Sequence, residues 1–246
     1  MITKQQREEF LELGFIKIDN VITAKELSWL RDRYDKMFVP SEENKIYQKQ
    51  LGGTGNDGKN LLPQVLGVTN NFPEFGELEY RKTITEIAKF IHGDHSSFRN
   101  DHAILKPAGY GLVTPWHQDQ AYHEAAYRFK TINFWLPLQD ATVEGGCMWY
   151  VPYTHGGAVV PHSFLNEDDD ETAMVADNQD YWHANGVAVP CEAGSVVLHH
   201  SYAMHYAGPN ISEQPRRAYI NVYEAEKKPL RNTLVFPWKK TQTNVS

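Results

Sequence analysis

Apolar positions change their period along this chain. Before residue 100 they recur at helical spacing. Phe10, Leu11 and Leu13 form a stripe behind Thr3, a helix N-cap, and Gly14 ends it. Phe15, Ile16 and Ile18 follow as a short strand. Thr23, with Glu26 three residues on in a capping-box arrangement, starts a second helix that runs toward Phe38 and stops at Pro40. A third helix covers Glu77 to Ile91 and closes at His92-Gly93. Residues 41–60 are polar and glycine-rich and predict a loop.

From His102 onward the runs are short, β-rich and separated by Gly and Pro: 102–106, 112–117, 130–138, 147–151, 157–160, 186–190, 194–200 and 217–224. Strands at this spacing predict a mainly β fold, an antiparallel sandwich or jelly roll with the N-terminal helices laid over one sheet. The stretch from Asn166 to Asp180, with an acidic run at 167–171, reads as a solvated loop or as part of a lid. No break divides the pattern. A single domain is expected, with a helical part over 1–100, a jelly-roll core over 101–226 and a tail over 227–246.

Composition narrows the function classes. At 246 residues and 41% hydrophobic, the chain can bury one large core. A net charge of -7 and scattered basic residues leave no electrostatic footprint for nucleic acid; the nearest thing to a basic cluster is Lys239-Lys240. No run approaches the roughly 20 apolar residues of a membrane span, and residues 1–10 lack the apolar core of a signal peptide. Cys147 and Cys191 are too few for a disulfide framework, so reduced thiols in a cytoplasmic enzyme are expected.

Candidate chemistry lies in Trp116-His117-Gln118-Asp119. On a strand, residues two apart share a face, so His117 and Asp119 can reach one ion. His205, at the end of a later β-rich stretch, would supply a third ligand from a separate strand. Two histidines and a carboxylate on one side of a metal leave three adjacent positions open, as in non-haem iron(II) oxygenases. Arg216 follows His205 by eleven residues, at the start of the next strand, where a guanidinium can grip the far carboxylate of a small diacid. Arg217 points the other way by strand parity and is assigned a surface ion pair. By itself H-x-D is a weak signal, equally at home on a polar surface strand.

Together with Lys106-Pro107, Asn133-Phe134-Trp135, Gly145-Gly146-Cys147, Pro152-Tyr153-Thr154-His155-Gly156 and His205 followed by Arg216, this motif resembles the phytanoyl-CoA dioxygenase-like family, over roughly residues 61 to 226. The resemblance implies a double-stranded β-helix, iron(II), 2-oxoglutarate and molecular oxygen. It implies His117, Asp119 and His205 as metal ligands and Arg216 on the distal carboxylate of 2-oxoglutarate. Trp135 sits where the family has a tryptophan that contacts the cosubstrate, and Asn133 shares its face. His102 and Gln64 stand at or near family cosubstrate positions with altered residue types. Ala207 replaces a serine that the better-known members place two residues after the last ligand.

The implied reaction turns 2-oxoglutarate into succinate and carbon dioxide while an unactivated C–H bond is hydroxylated. Relatives that halogenate have a small residue at the position of Asp119, so a carboxylate there favours hydroxylation; desaturation or ring formation would start from the same hydrogen abstraction. Tyr122, His123 and Arg128, with Tyr150, His200 and the loop bearing Trp182, are candidate walls of a pocket for a small organic substrate, a secondary metabolite among the candidates. The other histidines, His199 among them, are assigned to packing or to the strand face away from His200. Two rivals stay open: a non-catalytic cupin-like binding protein, and a zinc hydrolase on the same three ligands, which would have no use for Arg216 or Trp135.

Overall fold

The computed structural model describes residues 2–39, 48–52, 60–167, 169–231 and 236–238. Most of the 41–60 loop, Lys239-Lys240 and most of the expected tail lie outside them.

The helices begin where the caps say. In α1 (Lys4–Leu13), Thr3 Oγ1 accepts from the Gln6 amide at 3.1 Å and Gln6 Oε1 accepts from the Thr3 amide at 2.9 Å, a complete capping box. Gly14 closes the helix at φ 86°, a left-handed turn that glycine adopts without strain. Next come β1 (Phe15–Ile18) and α2 (Ala24–Tyr34), which tightens into a 3-10 turn over Asp35–Phe38. Thr23 caps α2 through the Glu26 amide, but the expected box is incomplete: Glu26 Oε1 takes the Tyr80 amide instead, at 3.1 Å, tying α2 to the start of α4. β2 (Gln48–Gln50), β3 (Pro63–Leu66), the single turn α3 (Val68–Asn71) and α4 (Glu79–His92) complete the N-terminal part.

The remaining elements are β4 (Ser97–Lys106), β5 (Thr114–His117), β6 (Tyr127–Pro137), β7 (Met148–Tyr150), β8 (His162–Asn166), β9 (Asp169–Ala176), α5 (Gln179–Asn185), β10 (Val187–Val189), β11 (Val196–His200), β12 (His205–Ala207) and β13 (Arg216–Pro229). A major sheet of order β1-β11-β6-β13-β4-β3-β2 faces a minor sheet of order β10-β7-β12-β5, and every described pairing in both is antiparallel. This is the double-stranded β-helix. Alternation along β6 shows the layering: Ile132, Phe134 and Leu136 join the core under α1, α2 and α4, while Trp135 faces the minor sheet with Met148 and Ile220. The turn into β7 needs Gly146, at φ 79°, because a Cβ there would lie 2.6 Å from the Gly208 carbonyl oxygen.

Three stretches differ from expectation, the first being the 41–60 loop, in which Gln48–Gln50 forms β2 against β3. Residues 157–160 form no strand; the Gly157 amide closes a turn on Thr154 at 3.0 Å, and the chain pairs only from His162. The acidic stretch is not a plain loop. It carries β9, paired with β8 into a hairpin, and then α5. The hairpin forms because Phe164 and Met174 bury with Ala121 in a small apolar cluster of their own. β13 also runs three residues past the expected core boundary, to Pro229.

Candidate active site

β12 lies between β5 and β7, which puts His205 opposite His117 on one side and Tyr150 on the other. Each candidate histidine holds its own ring. His117 Nδ1 lies 2.8 Å from the Pro115 carbonyl oxygen and His205 Nδ1 lies 2.9 Å from that of Ala203. A carbonyl only accepts, so Nδ1 carries the hydrogen and the Nε2 lone pair faces inward, the form that ligates a metal. Burial, with His117 second, pulls His205 well below the usual imidazole range and keeps it neutral.

Asp119 reaches the same point by a route the strand rule did not anticipate. β5 ends at His117, and Asp119 opens a 3-10 turn over Asp119–Tyr122. Gln118 locks the change of direction. Its amide donates to His162 Nε2 at 3.2 Å, and its side chain donates to the Tyr202 carbonyl at 2.8 Å and accepts the Val160 amide at 2.9 Å. Asp119 Oδ1 then lies 3.5 Å from Nε2 of both His117 and His205. All three donor atoms fall within 4.8 Å of one another. Burial pushes the Asp119 carboxyl up, but the imidazoles gathered round it, with the hydrogen bond from His199, outweigh it and hold the group well below the carboxylate range. Two imidazoles with Nε2 turned inward and an ionised carboxylate, converging on one point, can hold a divalent metal.

A cavity of about 370 Å³ opens from this cluster between the sheets. Arg216 lines it while only 2% exposed, and its Nε and Nη1 find no hydrogen-bond partner among the described residues. The guanidinium lies 5.5 Å from the Trp135 ring centroid. Burial lowers its pKa to about 10, so it stays charged at neutral pH. An unpaired buried cation with idle N–H groups costs free energy that a carboxylate would recover. Gln64, His102, Asn133 and Trp135 line the same cavity, and Asn133 also donates from Nδ2 to Asp119 Oδ2.

A family model described as phytanoyl-CoA dioxygenase (PhyH) matches residues 10–218. The chain belongs to the phytanoyl-CoA dioxygenase family. The match begins well before residue 61, where the motif resemblance starts. Among solved structures, EvdO2 from Micromonospora carbonacea var. aurantiaca superposes with a TM-score of 0.85 at 35% identity over 97% of each chain. A second EvdO2 structure, in complex with 2-oxoglutarate, gives 0.83 at 33% identity. The α-ketoglutarate-dependent carbocyclase SnoK from nogalamycin biosynthesis gives 0.74 at 26% identity, covering 93% of this chain and 86% of its own. The phytanoyl-CoA dioxygenase domain-containing protein 1 of Bos taurus is 29% identical over 89% of this chain and 88% of its own.

In this PhyH chain the proposed substrate walls separate into two groups. Tyr122 and His123 line the cavity. The Tyr122 ring stands edge-on to His117 at 5.9 Å, and its hydroxyl accepts the Met174 amide at 2.7 Å. Arg128 is elsewhere: its guanidinium lies 5.0 Å from the Tyr202 ring, beside a separate depression bordered by Trp238. Strand parity explains this, since Arg128 is even-numbered on β6 and the cavity-facing Asn133 and Trp135 are odd. His200 packs against His92 and His155 on the helix side. Trp182 lies in the aromatic cluster around Trp116, its indole donating to the Asp177 carbonyl. Arg217 does make its expected ion pair, with Nε and Nη2 each 2.6 Å from an oxygen of Asp35.

One residue belongs to the site although the sequence reading set it aside. His199 lines the cavity, and its Nε2 lies 3.2 Å from Asp119 Oδ2. The signal was strand pairing, in which His199 sits opposite Asn133. The β9 residues Thr172 and Ala173 close another part of the wall.

Proposed function

We propose that this chain is an iron(II)- and 2-oxoglutarate-dependent oxygenase that hydroxylates an unactivated C–H bond of a small organic molecule. The observation that carries this is Arg216: a buried guanidinium with two nitrogens, Nε and Nη1, unpartnered among the described residues, in the same cavity as three converging candidate metal donors. The residues fit both groups. His117, Asp119 and His205 would hold the metal through Nε2, Oδ1 and Nε2. Arg216 would take the distal carboxylate of 2-oxoglutarate, with the Trp135 ring beside it and Asn133, His102 and Gln64 within reach. When bound, iron, dioxygen and 2-oxoglutarate supply the oxidising power, with succinate and carbon dioxide as coproducts. Tyr122 and the β9 residues Thr172 and Ala173 form part of the wall beside the donors.

The cavity supports a compact substrate. Arg99, the arginine at its wall besides Arg216, is already paired with Glu224 at 2.8 Å and does not offer a seat for the phosphates of an acyl-CoA. Kinship with a carbocyclase of antibiotic biosynthesis favours a secondary metabolite and makes ring closure the alternative outcome to hydroxylation.

The test is iron(II), 2-oxoglutarate and oxygen with a panel of small metabolites, following succinate and product mass. Substrate-stimulated succinate with a product 16 mass units heavier is expected for hydroxylation, and one 2 units lighter for ring closure. A protein that binds neither iron(II) nor 2-oxoglutarate would end the oxygenase reading.

A further inference from the structure

We infer that His199, anchored by Tyr150, is a positioning residue that commits one oxygen of Asp119 and reserves the other for the metal. The inference rests on the metal reading above.

The two carboxylate oxygens of Asp119 are divided between different neighbours. Oδ1 lies 3.5 Å from Nε2 of both His117 and His205. Oδ2 lies 3.2 Å from His199 Nε2 and also accepts from Asn133. An ionised carboxylate only accepts, so His199 Nε2 carries the hydrogen. His199 Nδ1 lies 3.0 Å from the Tyr150 hydroxyl, which supplies the hydrogen for that nitrogen's lone pair. One tautomer therefore satisfies the chain Tyr150 to His199 to Asp119 from end to end.

Packing leaves this chain little freedom. Tyr150 is fully buried, stacked on Phe15 at 4.5 Å and 11°, and Phe15 is the β1 partner of His199. The His199 ring lies 4.4 Å from that of His205, yet His199 is not part of the trio whose donor atoms all converge. It therefore supports the site instead of adding a ligand. A carboxylate whose Oδ2 is held by two donors binds a metal through Oδ1 alone. One-oxygen binding spares a coordination position that a chelating carboxylate would occupy, and a chelating cosubstrate needs that position.

The experiment titrates cobalt(II), as a stable probe metal, into metal-free wild type, His199→Ala, His199→Gln and Tyr150→Phe by calorimetry, with a thermal melt of each metal-free protein. The wild type should bind. His199→Ala should bind about 10–100-fold more weakly, as expected when a ligand's hydrogen-bond partner is lost. His199→Gln, whose amide can donate to Oδ2, should recover most of that loss. Tyr150→Phe should show a smaller loss with an almost unchanged melt. Should His199→Ala fail to fold, the other two variants decide. Wild-type affinity in His199→Ala, or in both His199→Gln and Tyr150→Phe where the alanine protein does not fold, overturns the inference and leaves the metal reading standing. So does a glutamine variant that binds as weakly as alanine. A wild type that binds no cobalt(II) overturns both.

Discussion

Arg216 and Lys106 are cross-strand partners on β13 and β4, two buried cations with no carboxylate paired to either among the described residues. They solve burial differently. Lys106 Nζ donates to the carbonyl oxygens of Leu112, Ala207 and Gly208 at 2.7, 2.9 and 2.6 Å, which uses all three of its hydrogens. Burial, and then the charge of Arg216, pulls its pKa well down. Arg216 keeps the N–H groups of Nε and Nη1 unspent among the described residues. Lys106 is thus a strut under β12, and Arg216 is the one poised for an anion.

A dicarboxylate should therefore stabilise the fold. At a hundredfold excess over its dissociation constant, 2-oxoglutarate should add about 2.7 kcal/mol. For a chain of this size that is a rise of roughly 5–10 °C in a thermal melt. Arg216→Met should abolish the rise without lowering the melting temperature of the free protein, because it removes an unpaired buried charge. A full ligand-induced rise in the methionine variant would contradict the assignment of Arg216.

Loss of a metal donor should be selective. His117→Ala should reduce iron(II) affinity more than about 100-fold, beyond what loss of a supporting hydrogen bond costs. The visible band formed by anaerobic iron(II) with 2-oxoglutarate should vanish with it. Band and affinity at wild-type levels would remove His117 from the site.

Stability should depend on a polar network on the helix side of the major sheet. Asp101 Oδ2 accepts from Arg81 Nη2 at 2.9 Å and from the Tyr219 hydroxyl at 2.6 Å, all three buried between α4 and the major sheet. Asp101→Ala strands a buried guanidinium and should cost about 3–5 kcal/mol in denaturant unfolding. Asp101→Asn should cost less, since its amide oxygen still accepts. Equal losses would argue that charge, not hydrogen bonding, holds the network.

Acid should destabilise the fold through its buried histidines, with His92 and His200 the pair to test. Burial lowers the pKa of His92 and of His200 from 6.5 to about 3. The unfolded chain takes up these protons near pH 6.5 and the folded one does not, so stability is full above that pH. It falls as the pH drops toward 3, by about 1.4 kcal/mol per pH unit for each ring. Urea midpoints measured at pH 7 and pH 5 should show the fall, and His92→Phe should reduce it. An unchanged pH dependence in that variant would place the acid sensitivity elsewhere.

Local signals in the sequence carried the helix caps, most of the core strands, the H-x-D pair and the arginine that follows His205. Each depends on neighbours within a few residues: Thr3 on Gln6, Gly14 on Phe10, alternation along β13. The three candidate metal donors and Arg216 also stood out by residue type, because a carboxylate, two imidazoles and a guanidinium in a β-rich stretch call for a partner.

What only tertiary structure decided is which faces and strands meet. β11 is apolar on both sides, with Val196 and Leu198 under the helices and Val197 toward the minor sheet, so its alternation could not say which of His199 and His200 faces the cavity. Pairing with β6 decided it, through contacts far apart in the chain. The same holds for Asp119, aimed by a turn that Gln118 and His162 lock, and for the β9 wall that an acidic stretch concealed. Residue chemistry was local and legible; register and layer contacts join distant segments, and no short window of sequence contains both partners.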